Sequence, residues 1–504
     1  MTRHHPNALR RSAIIAAAAL TVGAAGTLAA PGAGAATPAG TPKLDLIAAS
    51  PTVTVDRWEG EPGVYLDLGT YVTVDGGPLE LRVTRKSYND PVVAEQVIRS
   101  GSRTVTKALP KGLVKDFSGL PGFLDVSISD QSGAMVAKAT QSFCPNNRAG
   151  RIQPDAPATS KYPGGCSDNP FALGGVWGVE KGWAAATSQG FREDDAVDLP
   201  AGVYTAKVSV AKKYRDLFGM PDKTQTIKVT VRQDSGGQGL AGVKRGQKNT
   251  SKSPKPAAER PVGKAAVPAD APKPDLRSLP AYGIAITKGD EGGESAVPGK
   301  DYLAFSATVW NGGPSPLVVD GFRKPGAEKM DAYQYFYDAK GEQVGYTPTG
   351  TMEWDPRDGH QHWHFSDFAS YRLLGADKKE IVRSGKEAFC LANTDAIDYT
   401  VKNANWHPGN TDLATACGEE TSVSVREVLD VGNGDTYSQY RPGQSFDVSD
   451  LPNGTYYIQV IANPDNRLKE QSTANNVTYR KVVLGGTPGD RTVTVPKYGL
   501  VDAP

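Results

Sequence analysis

The pattern of apolar and polar residues along this chain of 504 residues predicts β-strands. In the segment Thr205–Val210, apolar side chains alternate with polar ones directly after a Pro-Ala-Gly turn. The segment Tyr456–Ile461 follows an equivalent Pro-Asn-Gly turn and is rich in the aromatic and β-branched residues that favour strands. Long runs with helical periodicity are absent from the sequence, and glycine and proline are frequent throughout. These features are typical of an all-β protein built from sandwich-like domains.

A segment without a core pattern divides the chain. Residues 235–274 are rich in Gly, Pro, Ala, Ser and Lys, which is typical of a semi-extended, basic linker. We therefore predict an N-terminal β domain at 36–234, a second domain at 275–485 and a C-terminal tail at 486–504. Because such a linker buries little surface, we expect proteases to cut there first.

Three short motifs recur in the two halves in the same order and with similar spacing. The pairs are Asp75-Gly76-Gly77-Pro78 with Asn311-Gly312-Gly313-Pro314, Phe143-Cys144 with Phe389-Cys390, and Asp198–Tyr204 with Asp450–Tyr456. Turn sequences also recur by chance in β proteins, but the shared order favours a duplication. The fold prediction is therefore two related β-sandwich-like domains joined by a Pro- and Lys-rich linker.

The N-terminus has the features of an export signal. Arg10 and Arg11 precede an apolar run from Ala13 to Val22, and Ala33-Gly34-Ala35 fits a signal-peptidase cleavage site. The run is too short for a membrane-spanning helix, and no later stretch of the sequence is long and apolar enough. We expect residues 1–35 to be a signal peptide and the mature protein to be secreted. The general secretory and the twin-arginine routes both remain open.

Charge and cysteine content add two expectations. The formal net charge of +1 gives no reason to expect a nucleic-acid partner. Four cysteines in an exported chain predict disulfides, with three possible connectivities. The repeat favours one local bridge in each half, Cys144 with Cys166 and Cys390 with Cys417. Each bridge would stabilise the protein by about 3 kcal/mol through loop-closure entropy.

Candidate chemistry is concentrated in one pentapeptide, His360-Gln361-His362-Trp363-His364. Alternate residues of a strand point to the same face, roughly 6.5–7 Å apart, so His360, His362 and His364 could surround one metal ion. Imidazoles without a nearby thiolate suit Cu(II), Zn(II) or Ni(II). A structural zinc would need a fourth protein ligand, and His407 is the only other histidine outside the leader. A strand that binds no metal is the remaining alternative.

From about residue 275 to residue 484 the chain resembles the lysyl oxidase family of copper amine oxidases. Glu353-Trp354, followed by the histidine pentapeptide, is similar to the family's copper-binding signature. Four further segments resemble family motifs, among them those that carry the cofactor lysine and the cofactor tyrosine. These segments are Phe368 with Tyr371-Arg372-Leu373-Leu374, Lys386-Glu387-Ala388-Phe389-Cys390-Leu391, Asp435-Thr436-Tyr437, and Glu470 with Asn475-Asn476-Val477.

The resemblance implies that the three pentapeptide histidines bind copper and that Tyr437 is oxidised and cross-linked to Lys386, giving lysine tyrosylquinone. Such a protein would convert a primary amine, O2 and water to an aldehyde, ammonia and H2O2. The amine could be peptidyl lysine, a free diamine or an amine of the cell envelope. The alternative is a non-enzymatic extracytoplasmic metal-binding or surface-interaction protein with a lysyl oxidase-like fold. A copper store would need neither Lys386 nor Tyr437.

One departure from the family pattern concerns the catalytic base, and a separate observation concerns the N-terminal half. A histidine proposed as the catalytic base in animal members falls on Ser370 here, so the base is open between His407 and three aspartates. Those aspartates are Asp355, Asp358 and Asp367. The N-terminal half has no histidine after the leader, and Thr140 occupies the position equivalent to Lys386. We therefore predict that this half is a non-catalytic repeat that packs on the active half, binds substrate or attaches to the cell envelope.

Overall fold

The computed structural model describes residues 40–58, 62–188, 196–234, 261, 266–267, 269–289, 297–338, 340–357, 361–385, 388–407, 415–439 and 445–504. All of them belong to one compact unit, Ala39–Pro504. Several predicted features lie outside the described residues. They are the signal peptide at 1–35, most of the linker at 235–274, His360, Asp358 and Lys386.

The described residues are almost entirely β-structure, which confirms the all-β prediction. Among the described residues, fifteen strands and one helix precede the linker. They are β1 (Lys43–Ala48), β2 (Thr52–Trp58), β3 (Val64–Tyr65), β4 (Thr70–Asp75), β5 (Leu79–Thr84), β6 (Val93–Ser100), β7 (Arg103–Ala108), β8 (Leu120–Ser129), β9 (Met135–Phe143), β10 (Gly150–Arg151), β11 (Gly174–Val179), β12 (Trp183–Ala186), β13 (Ala196–Val197), β14 (Gly202–Val210), α1 (Lys212–Phe218) and β15 (Thr224–Asp234).

Sixteen strands follow the linker within the described part of the chain. They are β16 (Leu276–Ser278), β17 (Tyr282–Lys288), β18 (Asp301–Asn311), β19 (Leu317–Arg323), β20 (Met330–Tyr337), β21 (Gln343–Asp355), β22 (His362–Phe365), β23 (Ala369–Leu374), β24 (Glu380–Arg383), β25 (Asp395–Ala396), β26 (Ser424–Leu429), β27 (Asn433–Gln439), β28 (Phe446–Asp447), β29 (Gly454–Ala462), β30 (Val477–Thr487) and β31 (Asp490–Thr494).

The sheets of the two halves correspond strand for strand over most of their length. The order β1-β4-β12-β10 matches β16-β18-β27-β25, and β11-β5-β6-β7 matches β26-β19-β20-β21. The third pair is β9-β8-β14-β15 and β24-β23-β29-β30. Two differences stand out. The parallel neighbour of β15 is β2, whereas β31 runs antiparallel to β30, and the sheet with β21 continues to an extra strand, β22.

A shared tyrosine interaction supports the duplication. In the N-terminal half, the Tyr204 hydroxyl donates to the carbonyl of Pro200 at 2.9 Å. The Tyr456 hydroxyl donates to the carbonyl of Pro452 at 2.6 Å in the C-terminal half. Both tyrosines lie four residues after the proline, near the start of equivalent strands, so they fix the same strand entry in each copy. This contact resembles the tyrosine corner of β-sandwiches.

Each half has its own hydrophobic core, and a smaller cluster joins the halves. The side chains of Phe171 from the N-terminal half and of Ile397 from the C-terminal half are both fully buried in that cluster. The N–H of Leu173 donates to the carbonyl of Ile397 at 2.7 Å, which pins the two backbones together. The halves therefore share a packed boundary. Within the described part of the chain, no helix has the length and hydrophobicity needed to cross a membrane.

Candidate metal and cofactor site

His362 and His364 lie on β22, which pairs antiparallel with the end of β21. His362 and His364 lie on the same face of this strand, as their alternate positions predict, and their ring centroids are 4.7 Å apart. His364 is only 1% exposed. Trp363 lies between them in sequence, is fully buried and donates its indole N–H to the carbonyl of Glu419. The buried tryptophan thus fixes the strand on which the imidazoles stand.

A carboxylate lies beside the buried imidazole. The Oδ2 atom of Asp355 is 3.4 Å from Nδ1 of His364. Burial raises the pKa of Asp355, but hydrogen bonds from Arg357 outweigh that effect and hold the pKa well below its usual range. An ionised carboxylate at Nδ1 favours a proton on that nitrogen and presents Nε2 to a metal. The donor set therefore fits a metal bound by imidazole nitrogens.

The described residues supply two of the three predicted histidine ligands, because His360 lies outside them. Among the residues with a described position, no three His, Cys, Asp or Glu side chains are grouped closely enough to hold a metal. His362 and His364 would hold it, together with His360 as the third donor.

An open cavity of about 540 Å³ lies in front of the histidine strand. His364 lines this cavity, and so do Gly385 and Ala388, the described residues that lie on either side of Lys386 in sequence. Its rim carries opposite charges in pairs, including Asp367 with Arg467 at 2.7 Å. The cavity is thus polar, open to solvent and shared by the histidine strand and both flanks of the predicted cofactor lysine.

The segment after Lys386 lies between the histidine strand and Tyr437. Phe389 exchanges two backbone hydrogen bonds with Phe365, of 2.8 and 3.0 Å. On the other side, the Tyr437 hydroxyl donates to the carbonyl of Cys390 at 2.6 Å. The rings of Phe389 and Tyr437 are in edge contact, with centroids 4.7 Å apart. The structure thus brings together the strand with His364, the segment adjoining Lys386, and Tyr437.

Tyr437 is a half-buried residue on β27, opposite Ala307 of β18. Burial raises the pKa of its phenol well above the usual value, and the nearby carboxyls of Asp435 and Glu427 raise it further. The phenol is therefore neutral at physiological pH. A cation beside it would be needed to favour the ionised form.

The structure contains the two disulfides that the repeat predicts, Cys144–Cys166 and Cys390–Cys417. The second is part of the site. The carbonyl of Cys417 accepts a hydrogen bond from the N–H of Trp363 at 3.0 Å, and the carbonyl of Cys390 accepts one from Tyr437. This bridge therefore connects the histidine strand to the tyrosine strand.

His407 is not part of this arrangement. It lines a second cavity, of about 400 Å³, together with Trp406, Asp168 and Asp395. That cavity shares no lining residue with the cavity of His364. Burial lowers the pKa of His407. Ser370, at the position of the family's proposed base, is fully buried on β23.

Two residues near the site were missed at the sequence level. Arg357 donates hydrogen bonds to the Asp355 carboxylate. The spacing of two residues between them was the only sign of this contact in the sequence. Glu427 is fully buried on β26 beside the segment that follows Cys390. A signal for Glu427 does exist in the sequence, because it interrupts the apolar alternation of Val425 and Leu429.

The fold and the site together define an all-β domain with an imidazole-bearing edge strand near a half-buried tyrosine. Residues 339–489 match the sequence model of the lysyl oxidase family, so this chain contains a lysyl oxidase family domain. This finding confirms the resemblance drawn from the motifs.

Curated relatives agree with this assignment. Over 137 residues, or 27% of this chain and 16% of the relative, the chain is 28% identical to lysyl oxidase homolog 2 of Xenopus tropicalis. It is 30% identical over 138 residues to lysyl oxidase homolog 2A of Danio rerio, covering 27% of this chain and 17% of the relative. With protein-lysine 6-oxidase of Sus scrofa it shares 32% identity over 135 residues, 26% of this chain and 48% of the relative. The matched region thus spans less than half of each of these relatives.

Proposed function

We propose that this protein is a secreted copper-dependent amine oxidase that converts primary amines to aldehydes and releases H2O2 and ammonia. Its cofactor would be a quinone formed from Tyr437 and cross-linked to Lys386. One observation carries the proposal: the segment after Lys386 is hydrogen-bonded to the histidine strand through Phe389 and to Tyr437 through Cys390. The histidine strand, the described residues that follow Lys386 and Tyr437 thus meet, although they come from separate parts of the chain.

The described residues have distinct parts in this chemistry. Copper held by His360, His362 and His364 would supply O2 activation, and the quinone would supply the carbonyl that reacts with the amine. Asp355 orients His364, and the Cys390 carbonyl directs the phenol of Tyr437. The open, polar cavity would admit an amine on a flexible chain, which includes peptidyl lysine. The two disulfides suit an oxidising extracytoplasmic compartment.

The geometry favours an aspartate over His407 as the base that removes the substrate proton. Asp367 lines the cavity of His364, whereas His407 lines the other cavity. Asp355 also lines the first cavity, but its low pKa makes it a weak proton acceptor. Of the candidates with a described position, Asp367 is therefore the one that we propose as the base; Asp358 lies outside the described residues.

The experiment is reconstitution of purified, metal-free protein with copper in air. We expect about one copper per chain, quinone absorbance, amine-dependent H2O2 and a Lys386–Tyr437 cross-linked peptide in the mass spectrum. Lys386→Arg and Tyr437→Phe should bind copper but lack the other three signals, and Lys379→Arg and Tyr479→Phe serve as matched surface controls. His362→Ala should lose stoichiometric copper.

Three outcomes would count against the proposal. Full activity in Lys386→Arg or Tyr437→Phe would exclude the cofactor assignment. One tightly bound zinc without copper uptake would exclude the metal. Copper uptake without any cross-link would favour the alternative, an extracytoplasmic metal-binding or surface-interaction protein that has a lysyl oxidase-like fold.

A further inference from the structure

A buried carboxyl interrupts an apolar row in the C-terminal core. Val425, Glu427 and Leu429 occupy alternate positions of β26, so they face the same core, and all three are fully buried. Burial raises the pKa of Glu427 well above its usual range. Among the residues that the structure describes, its Oε1 atom accepts no hydrogen bond of normal geometry, although the nearby backbone N–H of Phe365 offsets part of the effect of burial on the pKa. A buried polar atom without a partner costs about 1–3 kcal/mol, so packing alone does not explain this residue.

The other oxygen of Glu427 has a specific partner. Its Oε2 atom accepts a hydrogen bond from the N–H of Leu391 at 3.0 Å. That N–H and the carbonyl of Cys390 belong to one peptide group, which is planar and rigid. The oxygen of the same group accepts the hydrogen bond from the Tyr437 hydroxyl at 2.6 Å. One peptide group is therefore held at its nitrogen end by Glu427 and at its oxygen end by the phenol.

We propose that Glu427 is a positioning residue for Tyr437 and acts through the Cys390–Leu391 peptide group. The inference rests on the proposed function, because it assumes that Tyr437 is the reacting phenol. Without the Glu427 carboxyl, the peptide group could rotate about its flanking bonds. The carbonyl oxygen of Cys390, which accepts the hydrogen bond from the Tyr437 hydroxyl, would then move as well. A displacement of about 1 Å at a reacting group can cost about 100-fold in rate. In this proposal, the cost of burying Glu427 is offset by its role in orienting the Tyr437 phenol.

The test measures the phenol directly in full-length, metal-free protein. With labelled tyrosines, the hydroxyl proton of Tyr437 is identified by proton NMR from its loss in Tyr437→Phe. In the wild type we expect a downfield signal that exchanges slowly with water. Glu427→Gln keeps an acceptor for the Leu391 N–H and should preserve the signal. Glu427→Leu should move it upfield and speed its exchange at least about tenfold.

A matched control is available at Glu470, whose carboxyl also accepts a backbone N–H, that of Leu276, at 2.9 Å. Glu470→Gln should leave the Tyr437 signal unchanged. Thermal unfolding verifies that each variant is folded, and Glu427→Met replaces Glu427→Leu if the leucine variant does not fold. An unchanged hydroxyl signal and exchange rate in the folded apolar variant would overturn the positioning role.

Quinone formation after copper addition gives a second readout. The apolar variant of Glu427 should bind copper normally and form quinone about 10- to 100-fold more slowly, while Glu427→Gln should stay close to the wild type. A wild-type rate in the apolar variant would count against the inference. Absence of quinone in the wild type itself would count against the proposed function. The hydroxyl signal, measured without metal, would still decide the role of Glu427.

Discussion

Removal of the Cys390–Cys417 disulfide should impair the proposed site, whereas removal of Cys144–Cys166 should lower only the stability, by a similar amount. The two bridges close loops of similar length, with sequence separations of 27 for Cys390–Cys417 and 22 for Cys144–Cys166. The chain-entropy relation then gives about 3.6 and about 3.4 kcal/mol of stabilisation at 25 °C. Replacing both cysteines of either bridge by alanine should therefore lower the free energy of unfolding by nearly the same amount.

The consequences for the site should differ sharply. The carbonyl of Cys417 accepts a hydrogen bond from the N–H of Trp363, which lies between the two described histidines. The carbonyl of Cys390 accepts one from the hydroxyl of Tyr437. Loss of this bridge allows the histidine strand and the tyrosine strand to move apart. We expect weaker copper binding and at least about tenfold slower quinone formation. Loss of Cys144–Cys166 should leave both unchanged, because none of its residues contacts the described part of the site.

The assay combines denaturant unfolding with copper analysis and visible absorbance under identical oxidising conditions. The paired variants are Cys390→Ala/Cys417→Ala and Cys144→Ala/Cys166→Ala. The reasoning would be refuted if both variants formed quinone at the wild-type rate while losing equal stability. It would also be refuted if the N-terminal variant lost the quinone to the same extent as the C-terminal one.

Three further predictions follow from the contacts. Asp355→Asn should weaken copper binding about 10- to 100-fold in a chelator competition, because it no longer orients His364. His407→Gln should leave turnover unchanged. Burial in the folded state lowers the pKa of His407, so below about pH 6.5 the unfolded state binds more protons than the folded state. The wild type should therefore lose stability as the pH falls through this range. Urea unfolding at several pH values should show a smaller loss of stability in His407→Gln. Proteolysis within 235–274 should give two folded fragments that stay associated on gel filtration, with copper only in the C-terminal one. Tyr498→Ala should weaken the association of the two fragments, because the Tyr498 ring packs on Phe171.

The sequence was sufficient for features that depend on local pattern. Alternation placed His362 and His364 on one strand face, and the repeated Phe-Cys motif led to the correct disulfide pairing. Turn motifs before Tyr204 and Tyr456 located two equivalent strands. Each of these inferences needs only neighbouring residues or a comparison of the chain with itself, so a single sequence carries them.

Features that depend on distant contacts could not be predicted in the same way. His407 lies close in sequence to Cys417 but lines a cavity shared with Asp168, from the other half of the chain. The boundary cluster of Phe171 and Ile397 likewise joins segments more than 200 residues apart. The periodicity of the sequence predicts that such residues are buried, but it does not identify the residues that they pack against. The partner of a buried residue emerges only when the sheets are assembled.

The two halves share most of their strand order, and they differ at the positions where the proposed site lies. A tyrosine contact and a local disulfide occur in both halves, which is expected of features that the fold needs, whereas only Cys390–Cys417 also contacts the proposed site. β12 has the sequence Trp183–Ala186 where its counterpart β27 carries Tyr437, and within the described residues β22 has no counterpart beside β7. The histidines thus stand on an added edge strand, and the tyrosine replaces a small residue on a shared strand. Because an edge strand can be added without repacking the core, the proposed metal site is compatible with the strand order that the two halves share.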